Sequence, residues 1–309
     1  MTGFAPIVVF CYNRPDHLRQ TLEHLAQADG AAQSSLWIFC DGPKSGADPT
    51  DALAVRALAH DPVWSEHFRA VHVEVSETNK GLARSIIGGV SRVMKGADKA
   101  IVIEDDLLVS PDFLRFMNDC LDFYKDDQHV GSITGFSPLS RLPESYAHDV
   151  MAVPRNCSHG WATWADRWRE VDWGARAASG LWRDATMRRR FNAAGNDRLG
   201  RLQRQLLGGI DSWSIRFGLW QTLSGMHTIY PVHNRVRNIG FDGSGMHTRK
   251  GEEVNAVGLI EASPYRLETV LEDTAILNAV SRIYSGPWYK SCLRDIKVWI
   301  YLARGGHLT

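Results

Sequence analysis

Four strand-like runs constrain this chain more than any other feature, because each ends in polar residues and a helical pattern follows. They are residues 7–11 (IVVFC), 36–40 (LWIFC), 71–75 (VHVEV) and 100–103 (AIVI). The unbroken apolar run 100–103 reads as a strand covered on both faces. After the first run, Pro15 opens a helix carrying Leu18, Leu22 and Leu25 on one face. After the third, Leu82, Ile86, Val90 and Val93 fall in helical register beyond Asn79. Strands alternating with helices predict an α/β fold with a mostly parallel, Rossmann-like sheet flanked by helices.

In such sheets ligands bind outside the carboxyl ends of the strands. Asn13, Arg14, Asp41, Asn79, Lys80 and the run Glu104-Asp105-Asp106 all fall at those ends. Three adjacent carboxylates resist burial unless a cation or a hydrogen-bonding ligand compensates them. Their hard oxygens at a strand end suit Mg2+ or Mn2+ bridging a diphosphate. The plainer alternative is a solvated acidic turn between strand and helix. Ser110 and Pro111 predict an N-cap and first turn for a helix continuing through Phe113, Phe116, Met117, Cys120, Leu121 and Tyr124.

Composition narrows the function classes. Of 309 residues, 35 are Lys or Arg and 35 Asp or Glu, so no global field points to nucleic acid or an anionic membrane. The cysteines (Cys11, Cys40, Cys120, Cys157, Cys292) form no CxxC pair, which favours reduced thiols in a cytoplasmic protein. The apolar run near the N-terminus reads as a first strand and not as a signal peptide, and no stretch is long enough to span a bilayer. Residues 290–304 read as a basic amphipathic helix, which either packs on its own domain or lies on a membrane.

The motifs FCYNRPDHLRQTL, FCDG, NKGLARSI and VIEDDLLVSPDFLRF together resemble the GT-A glycosyltransferases. The likeness is to family-2-like bacterial enzymes and, around the acids, to the N-acetylglucosaminyltransferase I group. That resemblance implies a mostly parallel sheet with a mixed acceptor-side half. It implies an inverting transfer of a sugar from a nucleotide diphosphate, a UDP-sugar, to an acceptor hydroxyl in bacterial surface-polysaccharide or glycoconjugate assembly. Asp106 matches the metal-binding acid. Glu104 and Asp105 match positions facing the nucleotide sugar, and Asn13, Arg14, Asp41, Lys80 and Arg84 fall on the nucleotide-binding side. Two later pieces, NCSHGWATWADRW and GIDSWSIRFGLW, resemble an acceptor-side loop and a catalytic helix, with Asp211 at the position of the catalytic base. In RNIGFDGSGMHT, which resembles a segment closing over the diphosphate, His247 would contact metal or phosphate. The implied partners are a nucleotide-sugar donor and a glycan or lipid-linked acceptor, with the chain in the cytoplasm or at the inner face of the plasma membrane. The division expected is a donor half (1–125), an acceptor and catalytic half (126–250) and a helical tail (251–309).

Several residues carry a second reading. Asp41 before Gly42 is also a turn acid. Asp211 before Ser212 is also an N-cap, with Ile215, Phe217, Leu219 and Trp220 expected to dehydrate it if it is a base. Trp161 after the Ser158-His159-Gly160 turn offers a flat face to a sugar. The spacing of Trp161, Trp164 and Trp168 is also that of one buried helical face, and His159 is also a plain loop histidine. The basic stretch 183–205 suits an anionic acceptor or a solvated helix face. Two other classes stand beside a glycosyltransferase. A nucleotidyltransferase wraps its triphosphate in a Gly-rich loop after the first strand, where this chain has CYNRPDH; the other class is a non-catalytic nucleotide-sugar or glycan-binding protein.

Overall fold

A computed structural model describes residues 3–242 and 262–286. Among the described residues there are ten strands: β1 (Ile7–Cys11), β2 (Ser35–Cys40), β3 (Ala70–Val75), β4 (Lys99–Glu104), β5 (Leu107–Val109), β6 (Val130–Thr134), β7 (Val150–Val153), β8 (Trp161–Trp164), β9 (His227–Pro231) and β10 (Val236–Asn238). The helices in chain order are α1 (Pro15–Gln27), α2 (Thr50–Ala59), α3 (Trp64–His67), α4 (Leu82–Val93), α5 (Phe113–Phe123), α6 (Ala165–Glu170), α7 (Ala178–Arg183), α8 (Ala185–Phe191), α9 (Asp197–Leu206), α10 (Trp213–Leu223) and α11 (Thr274–Tyr284).

Eight strands form one sheet in the order β3-β2-β1-β4-β8-β6-β9-β7. The first four are mutually parallel, β6 and β9 run the same way, and only β8 and β7 oppose them. The expected α/β architecture, a mostly parallel sheet flanked by helices, is therefore what the chain forms. The sheet runs unbroken across position 125, since β4 pairs directly with β8. Side chains alternate along each strand. Ile7, Val9, Ile101 and Ile103 enter a core shared with α1 and α5, while Val8, Phe10, Ala100 and Val102 enter one shared with α4, α6 and α10.

Two local expectations fail for the same reason, the presence of a short strand. Ser110 does not cap α5: β5 comes first, pairing antiparallel with β10, and Asp112 precedes the helix. Ser110 instead donates to Asp112, whose other oxygen holds the buried Arg235 at 3.1 Å. The tryptophan stripe is likewise not one helical face. Trp161 and Trp164 lie in β8 and enter opposite cores, and only Trp168 is helical. A four-residue apolar run has no periodicity of its own to separate strand from helix. The expected helix at 290–304 lies outside the described residues, and no described helix is long and apolar enough to cross a membrane.

Candidate functional site

The carboxyl ends of β1 to β4 form one rim, and the antiparallel β8 adds to it. Because Val102 pairs with Trp161, the loop ahead of β8, with Cys157 and His159, arrives at the end of β4 where the acids begin. The rim then closes from above. Ile239 N–H donates to the Asp106 carbonyl at 2.9 Å, continuing the β5–β10 ladder one residue past its end. Gly240 lies so near that a Cβ there would be 2.3 Å from Asp106 Oδ2 and 2.9 Å from Arg14 Nη1. Only glycine fits that approach without displacement.

Within this enclosure one guanidinium serves two acids. Arg14 Nη2 donates to Asp105 Oδ1 and, at 2.9 Å, to Asp106 Oδ2. The backbone beneath is fixed by Thr21 of α1, whose hydroxyl donates to the Asp105 carbonyl at 2.8 Å. The electrostatics follow from desolvation. Loss of water pushes the Glu104 carboxyl up to about 8, with Asp106 and Asp105 adding to the rise and Arg14 opposing it. Asp105 is pushed up to about 6 by the same desolvation, against the pull of Arg14. Desolvation lowers Arg14, but the two aspartates outweigh it and hold the guanidinium above its ordinary value. Burial lowers His159, and the negative Asp106 opposes that, so the ring stands within the field of the acids. Among the described residues this trio has one positive partner for three carboxyls.

The second and third strand ends join through Asp41. Its Oδ1 accepts from Gly42 N–H at 2.9 Å and Lys80 N–H at 2.8 Å, and its Oδ2 from Gly81 N–H at 3.0 Å. A Cβ on Gly42 would meet the Thr78 carbonyl carbon at 2.4 Å, so the two loops touch. Asp41 thus fastens the loop that starts α4, as its turn-acid reading requires, and a nucleotide base would have only spare lone pairs to use. Asn13 and Lys80 are exposed on the rim.

The remaining expected residues lie elsewhere or play another part. Trp161 is no platform: it is 1% exposed and stacks on Trp213 and Trp168, with ring centroids at 4.5 and 5.6 Å. Asp211 is not the N-cap of α10; Ser212 is, accepting from Ile215 N–H at 3.4 Å. Nor is Asp211 dehydrated, since its side chain is 54% exposed and its Oδ1 is held by Arg216 Nη2 at 2.5 Å. Ile215, Phe217, Leu219 and Trp220 are buried in the protein core. Arg84, in the first turn of α4, shares with Asp211 a cleft of about 440 Å³ between α4 and the α9–α10 corner. His247 lies outside the described residues. Sequence reasoning missed the bridge itself, because Arg14 and Asp105 are 91 positions apart and only the parallel pairing of β1 with β4 unites them.

A larger cavity, about 500 Å³, opens at the opposite edge of the sheet beside Trp37, Lys99 and Trp164. Its Lys99 is spent on Asp122 at 2.5 Å. Size therefore does not single out a candidate, whereas the rim gathers under-compensated acids, the kind of perturbed groups that mark candidate sites. Among the described residues no group of three or more His, Cys, Asp or Glu side chains converges as a metal cage. The rim does fit a hard divalent cation that takes one or two protein carboxylates and fills the rest of its shell with phosphate oxygens and water.

The fold and rim together define an α/β protein with a mixed sheet and an enclosed acidic site at the carboxyl edge. No family model matches the chain. Among solved structures, a cytidylyltransferase from Leptospira borgpetersenii serovar Hardjo-bovis is similar over 55% of this chain and 64% of its own, at 10% identity and a TM-score of 0.33. The chain thus spans less than two thirds of that protein, and a likeness of this depth assigns neither family nor activity.

Proposed function

We propose that the chain is a metal-assisted transferase that takes a nucleotide diphosphate-sugar donor at this rim and passes the sugar to an acceptor hydroxyl. The observation that carries the reading is the acid trio with a single bridging arginine, enclosed by Gly240. Desolvated excess negative charge favours a divalent cation, and a cation held there neutralises charge on a leaving diphosphate. Asp106, and Asp105 beside it, would hold the metal, Arg14 would bind phosphate oxygens, and the loop fastened by Asp41 would border the nucleotide. In the cleft between α4 and the α9–α10 corner Asp211 would take the acceptor proton, with Arg216 orienting its carboxylate.

A second reading, nucleotidyl transfer, draws on Asp211 being exposed and ion-paired. A phosphate oxygen already ionised attacks without a base, so that chemistry asks nothing of Asp211. The products separate the two. Incubation with Mn2+ and a panel of nucleotide sugars, or of nucleoside triphosphates with sugar phosphates, releases a free nucleoside diphosphate in glycosyl transfer and pyrophosphate in nucleotidyl transfer. Binding without either product would leave a nucleotide-sugar-binding protein and overturn both enzyme readings.

A further inference from the structure

We propose that Arg14 is a placeholder cation: it occupies the oxygens that a divalent metal needs until a diphosphate draws its guanidinium away. Metal and nucleotide then bind cooperatively, and the metal alone binds weakly. The inference rests on the functional reading above and deepens it.

The geometry points this way on three counts. One nitrogen of Arg14 bonds both Asp105 and Asp106, so the guanidinium stands between the two carboxylates. Those side chains are only 6% and 11% exposed. Gly240 packs against Asp106 Oδ2 and Arg14 Nη1 together, so that oxygen has Arg14 on one side and the covering segment on another. A dication sharing it with Arg14 would place like charges a few ångström apart in a desolvated site, where repulsion is far stronger than in water. Leaving the acids without an exchange partner would strand a desolvated cation. A diphosphate supplies the exchange, since a guanidinium matches phosphate oxygens as well as it matches carboxylates. Arg14 passes from carboxylate to phosphate, and the metal takes the carboxylate oxygens released.

The test is calorimetric titration with Mn2+ alone, UDP alone and both together, on the wild-type chain and Arg14→Gln. In the wild type, UDP is expected to tighten Mn2+ binding by a factor in the usual range for coupled sites, about 5- to 150-fold. In Arg14→Gln, Mn2+ alone is expected to bind about tenfold more tightly than to wild type, because its competitor is gone. The coupling to UDP falls towards unity, and UDP in the presence of Mn2+ binds more weakly. A simple loss of a phosphate ligand predicts no gain for Mn2+ alone, so unchanged or weakened Mn2+ binding in the variant overturns the inference. If the variant fails to fold, the side-chain Nε–H resonance of wild-type Arg14 decides: UDP with Mn2+ must shift it, and an unmoved resonance overturns the proposal. If the wild type binds no nucleotide even with Mn2+, the functional reading and the inference fall together. If it does bind and only the Arg14 predictions fail, the functional reading stands.

Discussion

At the residue scale, the acids at the end of β4 are costly to the fold, and their pH dependence states how costly. A buried carboxyl whose pKa is raised in the folded state holds its proton where the unfolded chain has lost it. Stability therefore falls as pH rises from the unfolded value, near 4.5 for Glu104, through its folded value of about 8, and is constant beyond. Glu104→Gln removes that slope. In metal-free buffer it is expected to gain on wild type progressively above pH 5, reaching on the order of 1 to 3 kcal/mol at pH 9 after allowance for screening. Denaturant titrations at pH 5, 7 and 9 measure this, and a constant difference across them would contradict the raised pKa. Gly240→Ala probes the lid on the same acids. Its methyl group would collide with Asp106 Oδ2 and Arg14, so UDP binding with Mn2+ should weaken at least tenfold while stability falls by about 1 to 3 kcal/mol, the usual range for overpacking. Binding at wild-type strength would show that the 239–242 segment does not cover the site.

At the element scale, what was legible in the sequence is what depends on local periodicity. Leu18, Leu22 and Leu25 of α1 are buried in its core, and Ile86, Val90 and Val93 of α4 in the other, as their spacing requires, whereas Leu82, expected on the same face, opens α4 and is exposed. The three-residue β5 and four-residue β8 were not legible, because each is defined by a partner far along the chain and neither is long enough to show a period. Asp41 and Asp211 show the same limit for single acids: a carboxylate before a turn or a helix looks alike whether it binds a ligand or its own backbone. Here Asp41 holds three N–H groups between two loops, so Asp41→Ala is expected to lose about 2 kcal/mol and speed hydrogen exchange at the Lys80 and Gly81 amides. Unaltered exchange would remove the fastening role. At α10 the two neighbours separate cleanly. Ser212→Ala should cost about 1 kcal/mol as a lost cap, whereas Asp211→Asn should leave stability within about 0.5 kcal/mol. If Asp211 is the base, the same Asp211→Asn lowers kcat on the order of 10² or more. Near-parental turnover would favour nucleotidyl transfer or another base.

At the scale of the whole molecule, the polar rim was legible in the sequence, since the rule that places it at the carboxyl ends of the strands needs only the order of strands and the polar residues after them. It did not reveal that β8 returns antiparallel beside β4 and brings His159 to the acids, nor that β10 ties the cover to β5, because both pairings join segments that sequence spacing cannot relate. These long-range pairings convert a row of acids into an enclosed, under-compensated site. The central claim is that this site holds a divalent cation and a nucleotide diphosphate together, and Asp106→Ala tests it most directly. By calorimetry, UDP or GDP should bind the wild-type chain in Mn2+ and lose at least tenfold in affinity both in EDTA and in Asp106→Ala with Mn2+ present. Nucleotide binding of equal strength in all three conditions would contradict the account.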